Sequence, residues 1–146
     1  MLDKARSVRP SRVKRLELDE ALIALFIGAM NANDHVARDE LVRAHHLIWS
    51  TKQFRRKSGE TVGRLIDRMK RLLEEQDAAL VMEAAARTIP AKLRPSAFAI
   101  VVDLLLADGK IDARERKFLQ RLAVNFNIRA GVASQVIQAM LVKNHP

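Results

Sequence analysis

The stretch "LLLADGKIDARERKFLQRLA", Leu104 to Ala123, changes character within a few residues: an apolar helical run stops at Asp-Gly and a charged helix starts after it. Gly109 is suited to the left-handed conformation that closes a helix. Asp112 is placed to accept from the orphan amides of the next helix, and Glu115 completes a D-x-x-E capping box. Ile111 is the apolar residue expected before such a cap, although its staple partner, Arg116, is a poor one. As a joint, Asp112 and Glu115 contribute roughly 1 kcal/mol between them. Asp108 is not explained by the joint. A carboxylate in the last turn of a helix faces the negative end of the dipole and costs a few tenths to about 1 kcal/mol. Asp103, a lone acid inside "FAIVVDLLLA", is expensive to bury unless it is paired or bound to a cation. A salt bridge to an arginine accounts for it at least as well as a metal does.

Working outward, apolar residues recur at helical spacing almost throughout, and alternating strand-like runs flanked by turn residues are missing. The expected fold is all-α, a single compact domain of about seven helices, which suits a chain of 146 residues. A basic arm is expected over residues 1–16 and the helical domain over 17–146. The helices are expected at about Glu17–Ala32, Ala37–Gln53, Glu60–Glu75, Ala78–Ile89, from Pro95 through "SAFAIVVDLLLAD", at Ala113–Phe126 and at Ala130–Val142. The helix after Pro95, apolar nearly all round, is the expected central one.

An internal repeat emerges at a separation of 75 residues, where Ala32 falls on Ala107, Asn33 on Asp108, Val36 on Ile111 and Glu40 on Glu115. The match covers a whole helix-turn-helix unit with its polar residues in step. The spacing is not that of an EF-hand, whose glycine stands sixth and whose bidentate glutamate stands twelfth. A cation at this turn would need acids from more than one segment, and the repeat offers Asn33, Asp34 and Glu40. Oxygen ligands of this kind suit Ca²⁺ or Mg²⁺.

Composition narrows the chemistry. The chain has no cysteine, which removes disulfides, thiolate zinc sites and thiol redox or covalent chemistry, and a cytoplasmic setting fits best. No apolar run reaches the roughly 20 residues needed to span a bilayer. The formal net charge of +9 permits attraction to nucleic acid, anionic lipid or an acidic protein without choosing among them. One Trp, five Phe and no Tyr leave little aromatic platform for single-stranded nucleic acid, so that partner is the weaker expectation. Four histidines, His35, His45, His46 and His145, include no pair at the i, i+4 ligand spacing. The basic tracts, with Lys52, Arg55, Arg56 and Lys57 in one and Arg64, Arg68 and Arg71 in the other, read as a solvated face or as a docking surface for an acidic protein or an anionic membrane.

In "ADGKIDARE", Ala107 to Glu115, the sequence resembles the TerB family, the helical domain named for tellurite resistance and related to the N-terminal domain of the co-chaperone DjlA. The run "IPAKLRPSAFAIVVDLLLADG" fits the family's approach to its central helix, and the resemblance covers roughly Leu16 to Val142. It implies an all-helical, pseudo-twofold bacterial domain with a divalent-cation site formed by Asp108, Glu115, Glu40 and Asn33; with no cysteine and no glycine-rich nucleotide signature for tellurite reduction, the expectation is that it is not an enzyme. The further acids Asp34, Asp103 and Asp112 stand nearby in sequence. Asn33 stands where the family has aspartate and Asp34 where it has glycine. The resemblance also implies a role in response to tellurite and other chemical stress, with protein partners, at the inner face of the cytoplasmic membrane. The competing expectation is a basic nucleic-acid-binding or anionic-lipid-binding module whose acidic turns are structural.

Overall fold

The fold is seen in a computed structural model, which describes residues 15–32, Phe54, and residues 56–107 and 109–145. Among the described residues there are six α-helices and one short 3₁₀ turn, with no strand. They are α1 (Leu18–Asn31), α2 (Gly59–Glu75), α3 (Ala78–Thr88), α4 (Arg94–Leu105), α5 (Ala113–Asn125) and α6 (Ala130–Lys143), with the 3₁₀ turn Ala91–Leu93 leading into α4. The helix expected at about Ala37–Gln53 lies outside the described residues.

Local chemistry explains most of the boundaries. The Ser58 hydroxyl accepts from the Thr61 amide at 3.1 Å to open α2, and Asp77 Oδ1 accepts from the Ala79 amide at 2.8 Å to open α3. Helix α3 stops at Thr88, just ahead of Ile89-Pro90, because the residue before a proline is pushed toward extended backbone. Pro95 then sits in the first turn of α4, where its missing N–H costs nothing. Helix α5 ends in a Schellman turn: Asn127 adopts φ 60°, its amide donates to Val124 O at 3.0 Å, and the Ile128 amide donates to Ala123 O at 2.8 Å.

The centre of the domain is α1 rather than α4. Residues 21–29 of α1 are buried on every side, and the helix packs against α2, α3 and α4. Helix α4 is buried at only half its positions and packs against α1, α5 and α6. The reason is legible in "ALIALFIGA", which has no polar side chain to keep at a surface. Gly28 lets α3 approach closely there, since a Cβ at this position would stand 2.6 Å from Met82 Sδ. Around α1 the core gathers Phe26, Phe98 and Phe54, each worth roughly 1.5–3 kcal/mol when fully buried. Leu16, just ahead of α1, is also buried in this core.

Candidate functional site

The acidic turn comes first. Asp112 Oδ1 accepts from the Glu115 amide at 2.8 Å, and Glu115 Oε1 accepts from the Asp112 amide at 3.1 Å, so the expected capping box is formed in both directions. Gly109 has φ 79°, in the left-handed region, and its amide donates to Leu106 O at 2.9 Å. Glu115 is 4 % exposed, the one buried charged side chain among the described residues. Its burial is what sequence alone could not show, because a capping glutamate is ordinarily on the surface.

Of the four residues expected to hold a cation, Glu115 alone is described. Asp108, Glu40 and Asn33 lie outside the described residues, as does the additional acid Asp34. Among the described residues no group of three or more His, Cys, Asp or Glu side chains comes together. Asp112 and Glu115 are each already engaged in the capping box, so the described acids do not by themselves form a cation site. Helix α4 closes at Leu105, with the Leu106 amide donating to Val102 O at 2.9 Å.

Asp103 belongs elsewhere. Its Oδ1 accepts from Lys143 Nζ at 3.1 Å and from Asn144 Nδ2 at 2.9 Å, with the Asp103 side chain 13 % exposed. Its partners at the end of α6 are thus a lysine and an asparagine. The lone acid in an apolar helix is a clamp that holds the last helix of the chain against α4.

The basic tracts are also more committed than their composition suggests. Lys57 Nζ lies 2.8 Å from Asp19 Oδ2, Arg68 3.1 Å from Glu20 Oε2, and Arg64 3.0 Å from Glu60 Oε1. Two of these pairs join α1 to the approach and the middle of α2. Phe54, in the middle of "KQFRRK", is fully buried. Arg56 and Arg71 are exposed and carry no ion pair among the described residues, while Lys52 and Arg55 lie outside them. Of the seven residues of this expected docking surface, Lys57 and Arg68 thus pair with α1.

A concave feature lies at the other end of α1. A cleft of about 840 Å³ is lined by the end of α1 (Gly28, Asn31, Ala32), Leu73 of α2, the first half of α3 (Ala78, Ala79, Met82, Glu83) and one face of α5. That face presents Arg114, Lys117 and Arg121 beside Phe118 and Leu122. These positions follow the i, i+3, i+4 and i+7 spacing that defines a single helix face. Val124 lines the cleft and is 77 % exposed. The basic stripe was present in "ARERKFLQRLA" all along, masked by the neighbouring acids of the turn. The existence of the cleft was not, because its opposite wall comes from α1 and α3.

These features define an all-helical domain with a tightly capped acidic turn on one helix and a basic, apolar-floored cleft along the same helix. The family model for tellurite resistance protein TerB matches residues 19–139, and the chain belongs to the TerB family. No curated protein and no solved structure gives a match to the chain. Among the described residues no helix is long and apolar enough to cross a membrane.

Proposed function

We propose that this chain is a non-enzymatic module of a bacterial, cytoplasmic response to tellurite and other chemical stress, and that it works by docking a partner protein at the cleft beside α5. The observation that carries the reading is the division of labour on α5. Its single acid, Glu115, faces inward as part of a cap, whereas Arg114, Lys117 and Arg121 stand together on the wall of an open cleft. A helix built in this way supplies a binding face and leaves its acid to hold the backbone. Membership of the TerB family supports the link to tellurite.

A divalent cation at the acidic turn is a second element of the proposal, favoured by the burial of Glu115, since a buried carboxylate draws stabilisation from every positive group near it. Glu115 would hold Ca²⁺ or Mg²⁺ together with Asp108, Glu40 and Asn33, and the ion would stiffen the entry to α5. The inner membrane face, reached through a partner or through basic residues such as Arg56 and Arg71, is the proposed place of work.

Two experiments test this. A host strain lacking the protein should grow poorly on tellurite, and the native chain should restore growth. Purified protein mixed with tellurite and NADPH or dithiothreitol should reduce it no faster than the mixture without protein; a protein-dependent rate would overturn the non-enzymatic reading. For the cation, calorimetric titration with Ca²⁺, Mg²⁺ and Mn²⁺ should show binding that Asp108→Asn and Glu115→Gln weaken, and a rise in Tm that follows the occupancy. Unchanged binding by those variants would remove the site.

A further inference from the structure

We infer that the occupant of the α3–α5 cleft is an acidic amphipathic helix of a partner protein; this deepens the docking reading above and rests on it. The cleft's floor is apolar, formed by Met82, Leu73, Phe118 and Leu122, and the wall beside it carries Lys117 and Arg121 one helical turn apart. Among the described residues neither cation has an ion pair, unlike Lys57 just ahead of α2 and Arg64 and Arg68 on it. Arg114 continues the same line along α5. Cations repeating along a helix axis match carboxylates that repeat along a second helix lying beside it. A lone small anion would meet one of them.

Size agrees with this occupant. A helix is about 10–12 Å across and rises 5.4 Å per turn, so the inward half of roughly three turns fills a space of the order of the 840 Å³ observed. Apolar side chains at i, i+3, i+4 and i+7 would cover the floor, as in other helix-in-groove complexes. Ala78 and Ala79 on the α3 wall are small and exposed, which leaves room for a backbone to approach. A flat bilayer surface would neutralise the cations without filling the recess. A nucleic-acid backbone would satisfy the charges and leave the apolar floor uncovered.

The test uses the full chain and a fluorescent four-turn peptide with leucines at helical core spacing and glutamates on its flank. Its controls are a scrambled peptide of the same composition, vesicles of phosphatidylglycerol with phosphatidylcholine, and duplex DNA. The amphipathic peptide should bind at least about tenfold more tightly than the scrambled one, and Lys117→Glu/Arg121→Glu should weaken it by about tenfold or more. Ala79→Trp, which fills the cleft without altering charge, should weaken it as well, and circular dichroism should show both variants folded. Equal binding of the scrambled peptide, indifference to Ala79→Trp, or tighter charge-dependent binding to vesicles or DNA would overturn the inference. The tellurite growth assay separates the two levels. If the peptide fails to bind and Lys117→Glu/Arg121→Glu no longer restores growth, the cleft docks something other than an acidic helix. If that variant restores growth like the native chain, docking at the cleft falls as well.

Discussion

Replacing Asp103 by alanine should loosen the end of α6 and lower the stability of the whole domain by a modest, calculable amount. The carboxylate accepts from Asn144 Nδ2 at 2.9 Å and from Lys143 Nζ at 3.1 Å. The first is a hydrogen bond to a charged group in a partly buried setting, of the kind that contributes about 1.5–3 kcal/mol. The second is worth less, about 0.2–1 kcal/mol, because the Lys143 side chain is 55 % exposed and water screens the pair. Removing the carboxylate also relieves the cost of holding a charge at 13 % exposure, which offsets part of both. The net loss should be about 1–2 kcal/mol, a fall in Tm of roughly 3–8 °C for a domain of this size. Asp103→Asn, which keeps an oxygen for Asn144 and surrenders only the charge, should cost less than the alanine variant. Thermal melts of the three proteins give the size of the effect. Hydrogen exchange gives its place, because the amides of the last turn of α6 should exchange about tenfold faster in Asp103→Ala while those of α1 follow the global stability. If Asp103→Ala melts like the native protein and α6 exchanges at the native rate, the clamp is not stabilising. If its main effect is to abolish a cation-dependent rise in Tm, Asp103 belongs to the cation site instead.

Three further outcomes follow from the geometry of the turns. Glu115→Ala should destabilise the domain by about 1–2 kcal/mol through loss of the acceptor for the Asp112 amide, whereas Glu115→Gln, which can still accept, should cost less; equal losses in urea titration would refute the capping role. Gly109→Ala should cost about 1–2 kcal/mol because its φ of 79° crowds a Cβ, and Gly109→Asn should be milder, read as a smaller shift in the urea midpoint. Asn127→Gly should stabilise the protein by a few tenths to about 1 kcal/mol, since the end of α5 already holds this residue at φ 60°; a fall in Tm would show that the asparagine side chain contributes more than its backbone tolerance.

The parts of this protein that could be read from sequence are those settled within a few residues. Ser58, Asp77, Asp112 with Glu115, Gly109 and Pro90 each act over two to four positions, so the joints between helices stand close to where their chemistry puts them. The all-helical class follows from the same local logic, because the spacing of apolar residues is a property of one segment at a time. The TerB resemblance likewise rested on a contiguous motif, and the family match over residues 19–139 agrees with it.

What tertiary structure decided lies in contacts between segments that sequence does not rank. Glu20 meets Arg68 across 48 residues and Asp103 meets Asn144 across 41, so one cation of the basic tracts and the lone acid of α4 act as fasteners between segments far apart in the chain. Phe54, inside a basic tract, is a core residue. The cleft beside α5 needs walls from α1 and α3, and its basic face was visible in sequence only as scattered charges. Capping is a short-range hydrogen-bond problem, whereas the pairing of charges and the position of a cleft depend on which apolar faces pack together, and that choice is made by the whole chain at once.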